Sequence, residues 1–222
     1  MNKTYTVRTL CSGAALLLAQ ALCSPAYALA DAGSLNGWST LGDVIAQGGT
    51  LSLTTASTDV ELDPTGNLSG NSAAIVELIG STAGLSSYAL DLSGRDYAVE
   101  GSLVRQSFAV AAGQTLSFSW SFSSADTFAL DHAFAVVNGQ LFTLATTAQP
   151  GGASQSFSYT FGQSGTASFA LGVVDTTDWS GVSQLNVSNL QISAVPEPGS
   201  WALMLAGLGT VGALVRRRRI DD

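Results

Sequence analysis

The sequence is poor in the residues that staple, charge or catalyse. Its two cysteines, Cys11 and Cys23, both lie near the N-terminus, Lys3 is the only lysine, His132 the only histidine, and five of 222 residues are proline. With one histidine and no cysteine in the bulk of the chain, a zinc centre has too few ligands. A Ser-His-Asp triad would have to use His132, which stands between Asp131 and Ala133 at a strand entrance, and no G-x-S-x-G elbow accompanies it. Long amphipathic helical runs are also missing, which excludes a helical bundle.

Positive charge is scarce where it would matter for nucleic acid. Residues 31–195 carry 13 acidic residues against Arg95 and Arg105 alone, a net charge of −11, while the other six basic residues sit at the two ends of the chain. Binding a polyanion relies on Lys and Arg neutralising phosphates, so nucleic acid is excluded as a partner. A surface this acidic stays soluble, repels its own copies or collects divalent cations.

The two ends read as targeting segments. Lys3 and Arg8 precede an apolar run over residues 14–22, and small residues follow around Ala28 and Ala30. Basic flank, short apolar run and an A-x-A site make residues 1–30 a secretory signal peptide, with cleavage after Ala28 or Ala30, so that the translocon and signal peptidase are expected partners. Both cysteines leave with it, and the exported part must hold together without disulfides. At the other end, Pro196 and Pro198 fix φ and push Val195 and Glu197 towards extended geometry, so this segment stands open to a protease. Residues 201–215 are uncharged and, as a helix, would span about 22 Å. That is short of the roughly 30 Å hydrocarbon core, with Trp201 and the cluster Arg216, Arg217, Arg218 and Arg219 suited to the two interfaces. Gly207, Gly209 and Gly212 fit G-x-G-x-x-G, but the chain ends before a following strand or acidic partner, so this is not a dinucleotide site.

Val195-Pro196-Glu197-Pro198, an apolar helix and a basic stop together resemble the PEP-CTERM sorting signal of Gram-negative bacteria. The resemblance implies a transient transmembrane helix, an exosortase-type membrane protease as partner, and passage through the inner membrane to the cell surface or extracellular matrix. The expected domains are then the signal peptide at 1–30, a globular domain at 31–194 and the sorting signal at 195–222.

Within the globular part, apolar residues alternate with polar ones in short runs. Leu116, Phe118, Trp120 and Phe122 share a face, as do Phe157, Tyr159 and Phe161, then Phe169, Leu171 and Val173. Asn138-Gly139 between two such runs predicts a type I′ hairpin, and the change of parity between Val187 and Leu190 predicts a bulge at Ser188-Asn189. Further strands are expected at 44–46, 51–55, 73–79, 102–110 and 183–187. The fold class is therefore all-β, an antiparallel β-sandwich. The run from Gly37-Trp38 through Gly101-Ser102 to Asp131-His132-Ala133-Phe134 is similar to exported jelly-roll domains that accompany this sorting signal, domains shaped like carbohydrate-binding modules.

Candidate sites are sparse. Asp59, Glu61 and Asp63 alternate and would share one face of a strand, a set of oxygen ligands suited to Ca²⁺ or simply an acidic sheet edge. Resemblance to jelly-roll modules suggests a second Ca²⁺ site from Asp43, Asp175 and Asp178. Trp38, Trp179 and Tyr97, set among turn residues, are candidates for stacking on sugar rings, whereas Trp120 belongs to the core. No catalytic constellation emerges, and the expected function is a non-enzymatic surface or matrix protein that binds exopolysaccharide. The alternatives are a secreted hydrolase with paired carboxylates and a purely structural or adhesive protein.

Overall fold

Alternating apolar residues need a second layer to bury them, and here two antiparallel sheets supply it to each other. The computed structural model describes residue 29 and residues 32–59, 65–92, 96–127, 129–149, 154–193 and 204–210. The strands are β1 (Ser39–Leu41), β2 (Asp43–Gln47), β3 (Thr50–Thr54), β4 (Ala74–Ile75), β5 (Ala98–Val110), β6 (Thr115–Ser124), β7 (His132–Val137), β8 (Gln140–Thr146), β9 (Gln155–Thr160), β10 (Gly165–Thr176) and β11 (Ser183–Ile192). One sheet runs β1-β5-β10-β7-β8 with β4 beside β5, and the other runs β2-β3-β11-β6-β9.

The pairings β7 with β8, β6 with β9, β5 with β10 and β3 with β11 are nested about the β7–β8 turn, as in one long hairpin. Rolling that hairpin up adds the contacts of β10 with β7 and of β11 with β6, which is the jelly-roll topology. At the tip, Asn138 (φ 51°) and Gly139 (φ 78°) take the positive angles of a type I′ turn. The parity change in β11 is also present: Asn189 has φ 53° and the register against β6 shifts between Ser188 and Gln191.

Inward residues of both sheets form the main core. Val104, Phe108, Phe118, Trp120, Phe169, Leu171, Val173, Leu185 and Val187 meet there, with Phe118 and Phe157 stacked at 4.9 Å between ring centroids. A smaller cluster of Ile79, Leu90, Leu103, Phe134, Ala170 and Val174 lies on the outer face of the β5-containing sheet. It is covered by helix α1 (Val76–Ala83) and a 3-10 turn (Ser87–Leu90), and this corrects the expected strand at 73–79. Only Ala74 and Ile75 are extended; Val76, Ile79, Gly80 and Ala83 then recur at helical spacing and bury that stripe. Gly84, at φ 78°, ends the helix while Leu85 N–H donates to Gly80 O at 2.8 Å.

Among the described residues no helix is long and apolar enough to cross a membrane. Residues 204–210 are helical and exposed; the remainder of the expected helix at 201–215 lies outside the described residues, as do Ala28, Ala30, Glu61, Asp63, Val195, Pro196, Glu197, Pro198, Arg216, Arg217, Arg218 and Arg219.

Candidate functional site

Continuing the inward parity of three strands leads to one end of the sandwich where the core turns polar. Phe169, Leu171 and Val173 of β10 point between the sheets, and two residues further Asp175 does the same. Ala133 and Ala135 of β7 face inward, and Asp131 precedes them with the same parity. In β5 the inward series Val104, Ser102 ends on Glu100, which is paired with Asp175 across the strands. Asp126, from the loop after β6, completes the group, and one ligand oxygen from each of Asp126, Asp131 and Asp175 lies within 4.8 Å of the others.

Ser183 of the opposite sheet, Thr176 of β10 and the loop at Ala129 close over this group. Ser183 Oγ–H donates to Asp131 Oδ2 at 2.6 Å, and Thr176 N–H donates to Asp131 Oδ1 at 3.1 Å. Ala129 N–H reaches both carboxylate oxygens of Asp126 at 3.3 Å. Gly181, at φ 82°, presses on Asp126 so closely that an added Cβ would lie 2.7 Å from its Cα. Asp131 is 0% and Asp175 2% exposed, and Asp175 Oδ1 has no hydrogen-bond partner.

Burial and mutual repulsion set the electrostatics of this end. Asp175 is raised far above the usual carboxylate range by burial and then by the charge of Asp131. Asp131 is raised less, because burial is opposed by its hydrogen bonds to Ser183, Asp175 and Thr176. Glu100 is pushed up to about 7 by burial. His132 faces the other side of its sheet, towards Phe134, and burial brings it down to about 4. Buried to 1% exposure, its ring is out of reach of any substrate, which removes the triad option.

The expected site residues divide. Asp43 is not grouped with Asp175; its carboxylate accepts Leu68 N–H at 2.8 Å, Ser69 N–H at 2.6 Å and the Thr54 hydroxyl, and so pins the loop that follows residue 64. Asp178 accepts Ser180 N–H and Ser180 Oγ–H, both at 2.8 Å, within its own turn. Asp59 is exposed, and the residues expected to share its face lie outside the described set. Trp38 corrects the sugar-stacking expectation: it is 9% exposed and packs into the main core, 6.2 Å from Phe169 between ring centroids. Trp179 and Tyr97, by contrast, are 53% and 56% exposed. Thr177 N–H donates to Tyr97 O at 2.8 Å, which ties their two segments together above the carboxylate group.

Asp126 and Asp131 were not singled out from sequence as ligands, since a loop and a strand start 44 or more residues from Asp175 show no spacing motif. The available signal was parity. An acid that continues an apolar inward series, as Asp175 does after Val173, must be buried and therefore needs a partner.

Fold and site together define a jelly-roll β-sandwich with a closed acidic end and two exposed aromatic residues above it. Residues 194–219 match the PEP-CTERM protein-sorting motif, so the chain is a β-sandwich protein bearing that signal, which marks it for export, membrane-associated sorting and exosortase processing. No curated protein matches the chain. Solved structures that resemble it include one described as CBM4 structure and function, at 12% identity and TM-score 0.37, covering 73% of this chain and 97% of that one. Another is TmCBM61 in complex with β-1,4-galactotriose, at 8% identity and TM-score 0.38, covering 73% and 92%.

Proposed function

We propose that this sorted surface protein binds neutral polysaccharide of the cell's own matrix through the end of the sandwich that carries Trp179 and Tyr97, without turning it over. The observation that carries this reading is the exposure of those two rings on segments joined by the Thr177–Tyr97 hydrogen bond. Aromatic rings left half open at a sandwich end offer apolar surface that suits the C–H faces of a sugar ring. The net charge of −11 over residues 31–195 disfavours an acidic glycan, and stacking on aromatic faces asks for no charge on the sugar, which points to uncharged polymers as the ligand class.

Binding is favoured over hydrolysis because, among the described residues, the carboxylates brought close together, Asp126, Asp131 and Asp175, are buried, whereas a glycosidase needs both acids on the scissile bond. Export through the translocon and removal of residues 1–30 by signal peptidase belong to the same reading. Co-sedimentation of the full-length protein with insoluble matrix polysaccharide tests it. Wild type should pellet with the glycan and release no reducing ends, and Trp179→Ala should stay in the supernatant. Release of reducing ends would instead favour the hydrolase, and a wild type that never pellets would favour a structural protein with no glycan ligand.

A further inference from the structure

Three carboxylates have been carried into the interior at the end of the core, and among the described residues no basic side chain meets Asp131 or Asp175. Arg105 lies on β5, but its parity is opposite to that of Glu100, and its Nη1 donates to Thr82 O at 2.8 Å on the helix-covered face. The described residues therefore offer Asp131 and Asp175 no fixed positive charge. A second observation is independent of that clustering: Asp175 Oδ1 is buried with nothing to donate to it, in a structure where Asp43 shows how a buried carboxylate is otherwise satisfied.

We propose that Asp126, Asp131 and Asp175 hold a hard divalent cation, with Ca²⁺ the best match, at the closed end of the jelly roll. The donors are all oxygen, with Ser183 Oγ 2.6 Å from Asp131 Oδ2 as a neutral neighbour, and no imidazole or thiolate is present to select a softer metal. The elements that converge here are the loop after β6, the start of β7, the end of β10 and the start of β11. A cation would thus link both sheets and fix the segment that carries Trp179. Gly181 belongs to the same construction, because only a residue without a side chain lets the β10–β11 turn approach Asp126. The site differs from the one expected from sequence in that Asp43 and Asp178 are already engaged by N–H and O–H donors.

The test is calcium binding by the full-length protein after stripping with chelator, followed by isothermal titration, together with melting temperatures in chelator and in calcium. The expected result is one Ca²⁺ per chain and a Tm roughly 5–10 °C higher at saturating calcium, the shift that a ligand at about 100 times its Kd produces in a domain of this size. Asp175→Asn should abolish uptake and make Tm indifferent to chelator. Asp126→Asn, which keeps an acceptor for Ala129 N–H and so preserves the loop, should weaken uptake by roughly 10–100-fold or more. No heat of calcium binding and the same Tm in chelator and calcium for wild type would overturn the proposal and leave the carboxylates as a proton-sharing group. Calcium uptake that survives in both variants would place the ion elsewhere and overturn it equally.

Discussion

At the residue scale, the two longest strands, β5 and β10, approach closely and bury carboxylates at one end. Gly101 of β5 faces Val174 of β10, and an added Cβ would lie 2.9 Å from Val174 Cα and 3.0 Å from Val173 C. These are backbone atoms that cannot step aside, so Gly101→Ala should lower stability by about 3 kcal/mol in denaturant unfolding. A loss under about 0.5 kcal/mol would mean that the strands are further apart than described. Glu100 gives a prediction with a sign. Its proton is held more tightly folded than unfolded, because burial raises it to about 7 from 4.5. Its contribution is therefore fully present below about pH 4.5 and lost as pH rises through about 7. In chelator, Glu100→Gln should reduce the fall in stability between those two values; an unchanged slope would assign the effect to other groups.

At the element scale, strands such as β6 were legible from sequence because one face is wet and the other dry, which writes a period of two into Leu116 to Phe122. In β10 both faces are buried, and the period of two comes instead from large residues at Phe169, Leu171 and Val173 alternating with the small Ala170 and Gly172 on the helix-covered face. The β7–β8 turn and the β11 bulge were legible for a different reason, since only a few residues accept positive φ. Asn138 is the sharpest case: it holds φ 51° and its Oδ1 accepts Ser168 N–H at 2.9 Å. Asn138→Ala should cost about 2 kcal/mol, combining left-handed strain with a lost hydrogen bond, and Asn138→Gly about half as much. Equal losses for the two variants would contradict the strain argument. Helix α1 was not legible, because Ala73 to Ile79 is apolar except for Glu77, a run too short for its period to be told until the covered sheet face is known. Trp38 was misplaced for a related reason. Its turn-rich neighbours say nothing of the core beneath them.

At the scale of the whole molecule, the chain joins a cargo to a sorting label, and the two differ in chemistry. The cargo is acidic and nearly free of basic residues, whereas the label at 194–219 ends in four arginines. Deleting residues 194–222 should shift the protein between membrane and medium in fractionated cultures, and an unaltered distribution would contradict a sorting role. The nested jelly roll places the chain segments after Val173, before His132 and before Ala98 at one end, so buried carboxylates and exposed aromatics come together there although they are scattered in sequence. Glycan binding at this end is the proposed function. Affinity electrophoresis of the full-length protein through gels containing matrix polysaccharide tests it most directly. Wild type should be retarded, and Trp179→Ala and Tyr97→Ala should each migrate faster, approaching the glycan-free mobility. Equal retardation of wild type and both variants would place binding elsewhere and contradict the claim.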